Sequence, residues 1–404
     1  MSCCRSAVAT ASVRVPAFKR AVALRTCART EAAMLSRRGA VRFGPRASPR
    51  LVRKLFSLTV LLIAFVAVGG ASAASPRVAV FFYPWYSTAA HDGADGHWSQ
   101  AGHEPPADLA SSFYPLRGAY SSADAAVLRS QMEEISSTGA GVVVSSWWGT
   151  GSLEDQRLPL VAAAAQAQGL RIAVQIEPYN GRSATTVAAD VERLRGLGID
   201  DFYVYRAEDI PAADWAPVNA RLRGVRLIAH TLLVGWAVTA RFTGIYTYDV
   251  LTNDGHSFNR LCTQAHGVGL LCAPSVGPGF DATAATGDPR TRPRRDGATY
   301  DAMWRAAVRA GADIVTITSY NEWHEGTQIE PAAAPGRGSR YAGYDGAWGI
   351  RGAQAAGAYL ARTALWVQRF DPQQATETPA ANVRILAAWP DPPYLAGRRN
   401  SRTR

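Results

Sequence analysis

Lysine is nearly absent from this chain. There are two among 404 residues, Lys19 and Lys54, and both fall in the first 54. That stretch holds 13 Lys and Arg against a single acid, Glu31, while the whole chain carries a formal charge of +11. The remainder is therefore close to neutral and takes its positive charge from Arg alone. A strongly basic balance would ordinarily point to nucleic acid or acidic membrane. Here it belongs to a leader, so a nucleic-acid partner is set aside. Cysteine is scarce too: five in all, and only Cys262 and Cys272 outside the leader. No Cys/His spacing resembles a zinc site, which leaves no metal and no cofactor to expect. In an oxidising compartment the two could pair, or they could be separate buried thiols.

Long hydrophobic runs are also missing, apart from Leu55 to Val68, which follows Arg53 and Lys54. It is shorter than the roughly 20 residues a membrane span prefers. Gly69-Gly70 and then Ala71-Ser72-Ala73 follow it, a small-residue cleavage pattern. The expected organisation is a basic leader over 1–54, which is a mis-assigned start or a targeting segment, and a signal region over 55–74. A folded domain spans 75–370, and a Pro- and Arg-rich tail spans 371–404. The protein is expected to be secreted or extracytoplasmic, with no stable membrane insertion after cleavage. The alternative is a membrane anchor through residues 55–70. The oligomeric state is open.

Eight short apolar runs recur: Val78–Tyr83, Val142–Trp147, Ile172–Glu177, Phe202–Tyr205, Arg226–His230, Gly244–Tyr248, Leu270–Pro274 and Asp313–Thr318. Segments with helical spacing lie between several of them, such as Ala123–Ser136, Leu158–Gln168, Ala184–Gly196 and Tyr300–Ala310. Strand alternating with helix predicts parallel pairing, and eight units fit an α/β fold of the (β/α)8 TIM-barrel type in a single domain. A doubly wound open sheet is the alternative, but no GxGxxG or phosphate loop follows an early strand. Two loops rich in Gly and Pro, His91–Pro106 and Gly277–Gly297, are long for barrel connections, and long loops on the strand-exit face are often functional.

In such a barrel, chemistry sits at the strand exits. The eighth exit holds two carboxylates, Glu322 and Glu325, with Trp323 and His324 between them. Other exits supply Tyr83, Trp147 and Trp148, Glu177, Tyr203 and Tyr205, and then Tyr246, Tyr248 and Asp249. Sugar rings have apolar faces and polar edges, so aromatic platforms with carboxyls suit them. Glycoside cleavage needs a proton donor at the leaving oxygen and a second group that handles charge at the sugar carbon. Glu322 and Glu325 are the catalytic candidates, with Glu177 as a third acid that is catalytic or binds hydroxyls. Glu330, just before Pro331, reads as structural. His324 is placed to hydrogen-bond neighbours or substrate. Without a GxSxG elbow at Ser145 and Ser146, Ser-His-Asp hydrolysis is not expected.

At these residues the chain resembles glycoside hydrolase family 99, the endo-α-1,2-mannosidase and endo-α-1,2-mannanase group. The resemblance is densest over Ile317–Pro331, where Asn321 and His324 are further substrate-binding candidates. It extends to Phe82-Tyr83-Pro84-Trp85-Tyr86, His97-Trp98, Tyr120-Ser121-Ser122-Ala123-Asp124, Ser146-Trp147-Trp148-Gly149 and Glu177-Pro178-Tyr179-Asn180-Gly181-Arg182. Phe202-Tyr203-Val204-Tyr205, Tyr246-Thr247-Tyr248 and Pro274-Ser275-Val276-Gly277-Pro278-Gly279 complete it, over about residues 77–335. The resemblance implies a (β/α)8 barrel and a retaining endo-acting enzyme on α-mannan or a mannose-containing oligosaccharide. It implies that Glu322 deprotonates the substrate's 2-hydroxyl to form a 1,2-anhydro sugar, while Glu325 protonates the leaving oxygen and later activates water. Tyr83, Glu177, Tyr203 and Tyr248 match positions lining the sugar site, and Trp147 or Trp148 would face the neighbouring subsite. Arg206 and Asp249 depart from the family pattern. The alternatives are a related barrel α-1,3-glucanase and a non-catalytic carbohydrate-binding protein.

Overall fold

The computed structural model describes residues 74–371 except 337. The leader, the signal region and the tail beyond Asp371 lie outside the described residues. Each expected strand run forms a strand, and a helix follows each turn of the barrel. In chain order the elements are β1 (Ser75–Phe82), α1 (Ala125–Ser137), β2 (Ala140–Trp147), α2 (Leu153–Ala167), β3 (Arg171–Ile176), α3 (Ala184–Arg195), β4 (Asp201–Val204) and α4 (Ala212–Asn219). They continue as β5 (Arg226–His230), α5 (Val234–Thr239), β6 (Gly244–Tyr246), α6 (Phe258–Gly267), β7 (Leu271–Ala273), β8 (Ser275–Val276), α7 (Ala298–Arg309), β9 (Val315–Ile317) and α8 (Ala358–Phe370).

All sheet pairings among these strands are parallel, in the order β7-β6-β5-β4-β3-β2-β1-β9-β8. β7 and β8 are halves of one barrel strand, separated only by Pro274, which has no N–H to give the ladder. The first half pairs with β6 and the second with β9. Backbone bonds from Asp313 to Cys272, Thr316 to Pro274 and Thr318 to Val276 run along the seam at 2.9–3.1 Å. The sheet closes there, which excludes the open doubly wound alternative.

Side chains alternate across the wall because successive residues of a strand face opposite ways. Along β1, Val78, Val80 and Phe82 pack outward in the core shared with the helices. Ala79, Phe81 and Tyr83 point into the barrel with Val144, Tyr203, Tyr246 and Tyr248. Phe81 is the centre of this plug, with ring centroids 5.6 Å from Tyr203, 5.6 Å from Tyr246 and 5.2 Å from Tyr248. The same parity that buries Phe81 delivers Tyr83 to the barrel mouth.

Helix α2 begins at Leu153, five residues before the expected start at Leu158. Its first turn is polar and shows no apolar stripe. The start is set instead by the Ser152 hydroxyl, which accepts the Asp155 N–H, and by Glu154 and Asp155 in the positive end of the helix dipole. Cys262 in α6 and Cys272 in β7 are joined as a disulfide, with Cα atoms 5.1 Å apart. Closing so short a loop stabilises the fold by about 3 kcal/mol on chain-entropy grounds.

Candidate active site

The segment leaving β9 is tied to itself and to β1. Its Thr318–Ser319 peptide is cis. Ser319 N–H donates to Thr327 O and Ile329 N–H to Ser319 O, both at 2.9 Å. The Ser319 hydroxyl accepts the Glu322 N–H at 2.8 Å and bonds the Thr327 hydroxyl at 2.9 Å. Asn321 clamps this loop to β1: its Oδ1 accepts the Tyr83 N–H at 2.8 Å and its Nδ2 donates to Tyr83 O at 3.0 Å. Asn321 is wholly buried, so its place is in the frame under the site, locking the Glu322 loop to the strand that carries Tyr83.

Glu322 is buried, and its Oε1 accepts the His324 N–H at 3.1 Å. Glu325 is half-buried and its carbonyl accepts the Asp281 N–H at 2.7 Å. His324 Nε2 donates to the His97 carbonyl at 2.8 Å, so the ring is held in one tautomer, and burial pushes it down to about 4. It is neutral at ordinary pH and serves as a strut between the two long exit loops. Trp85 stacks on His97 at 4.6 Å and packs against Tyr83 at 4.6 Å, forming an aromatic wall beside the acids.

Glu177, at the exit of β3, is buried, and the Ser146 hydroxyl from β2 donates to its Oε1 at 2.8 Å. The Tyr83 and Tyr248 hydroxyls are hydrogen-bonded to one another across the mouth. Tyr248 holds a left-handed backbone (φ 42), fixed by its N–H donating to the Ser275 hydroxyl at 2.8 Å. Trp148 is 38% exposed, whereas Trp147 is fully buried with its indole N–H on Asp155 at 2.8 Å. Of the adjacent pair, Trp148 alone has surface to offer a sugar. Tyr203 lies one layer down, edge-on to Phe81 and Tyr246 at 5.6 and 5.3 Å, and supports the floor.

Burial raises several carboxyls, Glu330 and Asp190 among them, and three of those raised stand at the barrel mouth. Burial raises Glu177 to about 8, against the pull of the Ser146 bond and the Arg182 charge. Burial, reinforced by Asp249, raises Glu325 to about 7. Burial, reinforced by Glu325, raises Glu322 well above the usual carboxylate range. Two carboxyls so close in a dry site cannot both ionise easily, so the pair retains a proton into neutral pH. That is the state in which one member gives a proton and the other takes one. Tyr83 and Tyr248 are raised well above the ordinary phenol value by burial and by the surrounding glutamates, so both remain neutral hydrogen-bonding groups.

Glu330 is different. It is wholly buried, and its carboxylate accepts from Arg117 Nε at 2.8 Å, Tyr120 OH at 2.8 Å, Gln131 Nε2 at 2.9 Å and Trp323 Nε1 at 2.8 Å. It holds up the Trp323 side of the loop, as expected of a structural acid.

Beside the acids, at the exits of β4, β5 and β6, lies a cavity of about 450 Å³. Arg206, Glu208, Asp209, His230, Asp249 and Asn253 contribute to its lining. Tyr205 stacks on His230 of its lining at 4.7 Å and lies edge-on to Tyr248 at 5.1 Å. Sequence reasoning missed two braces: Asp281 and Arg294, whose Nη2 donates to Gly326 O at 3.0 Å and Gln328 O at 2.7 Å. They come from the long loop Gly277–Gly297, but nothing local in it marks the individual residues. Among the described residues, no group of His, Cys, Asp and Glu gathers in a way that could hold a metal ion.

Residues 74–216 and 229–372 match the family model for glycosyl hydrolase family 99. A glycoprotein endo-alpha-1,2-mannosidase-like protein of Danio rerio is 31% identical over 312 residues, covering 63% of this chain and 70% of the relative. The glycoprotein endo-alpha-1,2-mannosidase of Rattus norvegicus is 28% identical over 312 residues, 63% of this chain and 68% of its own length. Among solved structures, the GH99 endo-alpha-mannosidase from Bacteroides thetaiotaomicron superposes with a TM-score of 0.67 at 30% identity, over 74% of this chain and 98% of that one. The eight-stranded barrel, the match over most of its length and the acids at its mouth lead to one assignment: the chain belongs to glycosyl hydrolase family 99 and is a glycosidase of the endo-α-mannosidase type.

Proposed function

We propose that the protein is a secreted, retaining enzyme that cleaves internal α-1,2-mannosidic linkages in mannan or N-glycan-like chains. One observation bears most of this reading: Glu322 and Glu325 lie three residues apart on a loop pinned to β1, and burial raises both above the ordinary carboxylate range. In the first step Glu322 takes the proton of the substrate's 2-hydroxyl. The freed oxygen attacks C1 on the face opposite the leaving oxygen, and the glycosidic bond breaks. Glu325 gives its proton to the departing oxygen, and the product is a 1,2-anhydro sugar. In the second step Glu325 removes a proton from water, the water oxygen opens the three-membered ring at C1, and O2 recovers its proton from Glu322. Two inversions at C1 leave the anomeric configuration retained. No protein atom bonds to sugar, which differs from the usual retaining scheme with a carboxylate nucleophile.

The surroundings suit this chemistry. Burial and Asp249 favour the protonated form of Glu325, which a donor needs. Glu177 and the Tyr83–Tyr248 pair offer hydrogen bonds to hydroxyls of the reacting sugar. Trp148 gives a neighbouring sugar an apolar face, and the cavity beside Tyr205 has room for further units of an internal substrate. The Cys262–Cys272 disulfide supports export, since such bonds persist in oxidising compartments. A polysaccharide screen with product analysis tests the reading. Mannose-containing oligomers released from α-1,2-linked mannan would support it. Glucose oligomers from α-1,3-glucan, or binding of mannan without hydrolysis, would replace it.

A further inference from the structure

We propose that Arg294 is a positioning residue for Glu325, acting through the backbone of the catalytic loop; this rests on the reading of Glu325 as proton donor. Arg294 lies between β8 and α7, outside the site itself. Its guanidinium carbon is 4.6 Å from the Phe113 ring centre, 4.7 Å from Tyr344 and 4.6 Å from Tyr359. Three rings around one cation keep water away, and a hydrogen bond donated in such a setting is stronger than one in water. The bonds that benefit are those from Nη2 to the Gly326 carbonyl at 3.0 Å and the Gln328 carbonyl at 2.7 Å. Both carbonyls lie within three residues of Glu325.

The same loop grips from a second side. Phe280–Asp281 pairs antiparallel with Thr291–Arg292, and Arg294 follows two residues later. Asp281 N–H donates to the Glu325 carbonyl at 2.7 Å. Gly326 turns sharply beneath it with φ 61, and a Cβ there would come 3.0 Å from Asp281 O. The hairpin thus holds residues 325–328 at three carbonyls, while Tyr344, one wall of the cage, donates its hydroxyl to Glu330 O at 2.9 Å. A guanidinium can face three rings and span two carbonyls because it is planar and forked. An ammonium is a point charge and can do only part of this. Arg294 has no bond to the Glu325 carboxyl, so its action is on where the acid stands. A displacement of about 1 Å can cost on the order of 100-fold in rate.

The test compares two substrates sharing one α-mannosyl donor. One has a sugar leaving group, which needs a proton. The other has a dinitrophenyl leaving group, which departs as a stable anion. The readout is kcat/KM, which reports the first bond cleavage. Arg294→Met should lose about 10- to 100-fold on the sugar-leaving substrate and stay within about threefold on the aryl substrate, with Arg294→Lys recovering part of the loss. Equal losses on both substrates, or no loss on either, overturn the proposal. If Arg294→Met does not fold, Arg294→Lys carries the same comparison; failure of both to fold makes Arg294 a fold residue and also overturns it. Glu325→Gln is run alongside. If it loses both substrates alike, the failed element is the reading of Glu325 as donor, whatever Arg294 does.

Discussion

Glu325 and Glu330 sit five residues apart on one loop, yet the groups around their carboxyls differ. Glu330 receives four side-chain donors, including the Arg117 guanidinium. The Glu325 carboxyl faces Asp249 and Glu322, and its Glu322 partner takes up backbone N–H groups. Burial costs a carboxylate its hydration, in full at Glu330 and in part at the half-buried Glu325. Where donors replace the water, as at Glu330, burial still raises the acid, but Arg117, Gln131 and Tyr120 oppose the rise and the carboxyl holds structure. Where like charge replaces it, the acid retains a proton that can be moved. Burial alone therefore does not make a carboxyl catalytic; the poverty of donors around it does.

The sharpest way to break this contrast is to neutralise each acid in turn. Glu322→Gln and Glu325→Gln should each lower turnover of an α-1,2-mannan by about 10³-fold or more, with the melting temperature unchanged or higher. Glu330→Ala should do the opposite. It strands Arg117, Tyr120, Gln131 and Trp323 around a void and should cost about 3 kcal/mol or more in denaturant unfolding, while the protein that remains folded keeps the wild-type pH profile. If Glu330→Ala were stable and inactive, the two acids would not differ as argued.

Glu177 sharpens the comparison by pH. Its folded value of about 8 lies above the ordinary carboxylate value of 4.5. Between those limits the folded state binds more protons than the unfolded one, so its contribution favours folding at low pH and is lost as pH rises through about 8. Glu177→Gln should therefore melt higher than wild type at pH 8 and about equally at pH 4.5, while losing kcat/KM. The smallest effect is expected from Ser146→Ala. It removes the one hydroxyl donor on Glu177, costing about 1 kcal/mol of stability, and a fewfold change in kcat/KM is expected. A loss as large as that of Glu325→Gln would assign Ser146 a more direct part.

Much of this molecule was legible in its sequence because the barrel repeats a simple rule. A parallel strand buried on both faces is a short apolar run, and all eight runs stood out. The acid pair and Glu177 were legible because the strand exits converge. Less was legible where two residues share an exit or a type. Trp147 and Trp148 are adjacent, and only the strand's parity at its last residue sends one into the wall and leaves the other at the surface. Tyr203 looks like Tyr83 in sequence but stands a layer lower, edge-on to Phe81 and Tyr246, because tilted strands set residues of one ladder row at different heights. The start of α2 was missed because its first turn is polar and capped by Ser152. Pairing of Cys262 with Cys272 depended on how α6 meets β7, which spacing leaves open. Arg294 was invisible because its partners lie more than 30 residues away along the chain.

The central claim is that Glu322 and Glu325, both raised by burial, together drive endo-cleavage with retention. Proton NMR of the first product formed from an α-1,2-linked mannan, recorded before mutarotation, tests it most directly. The account predicts oligomeric fragments whose new reducing end appears first as the α anomer. A β anomer at the earliest time points, or release of single mannose units from the chain end, would contradict it.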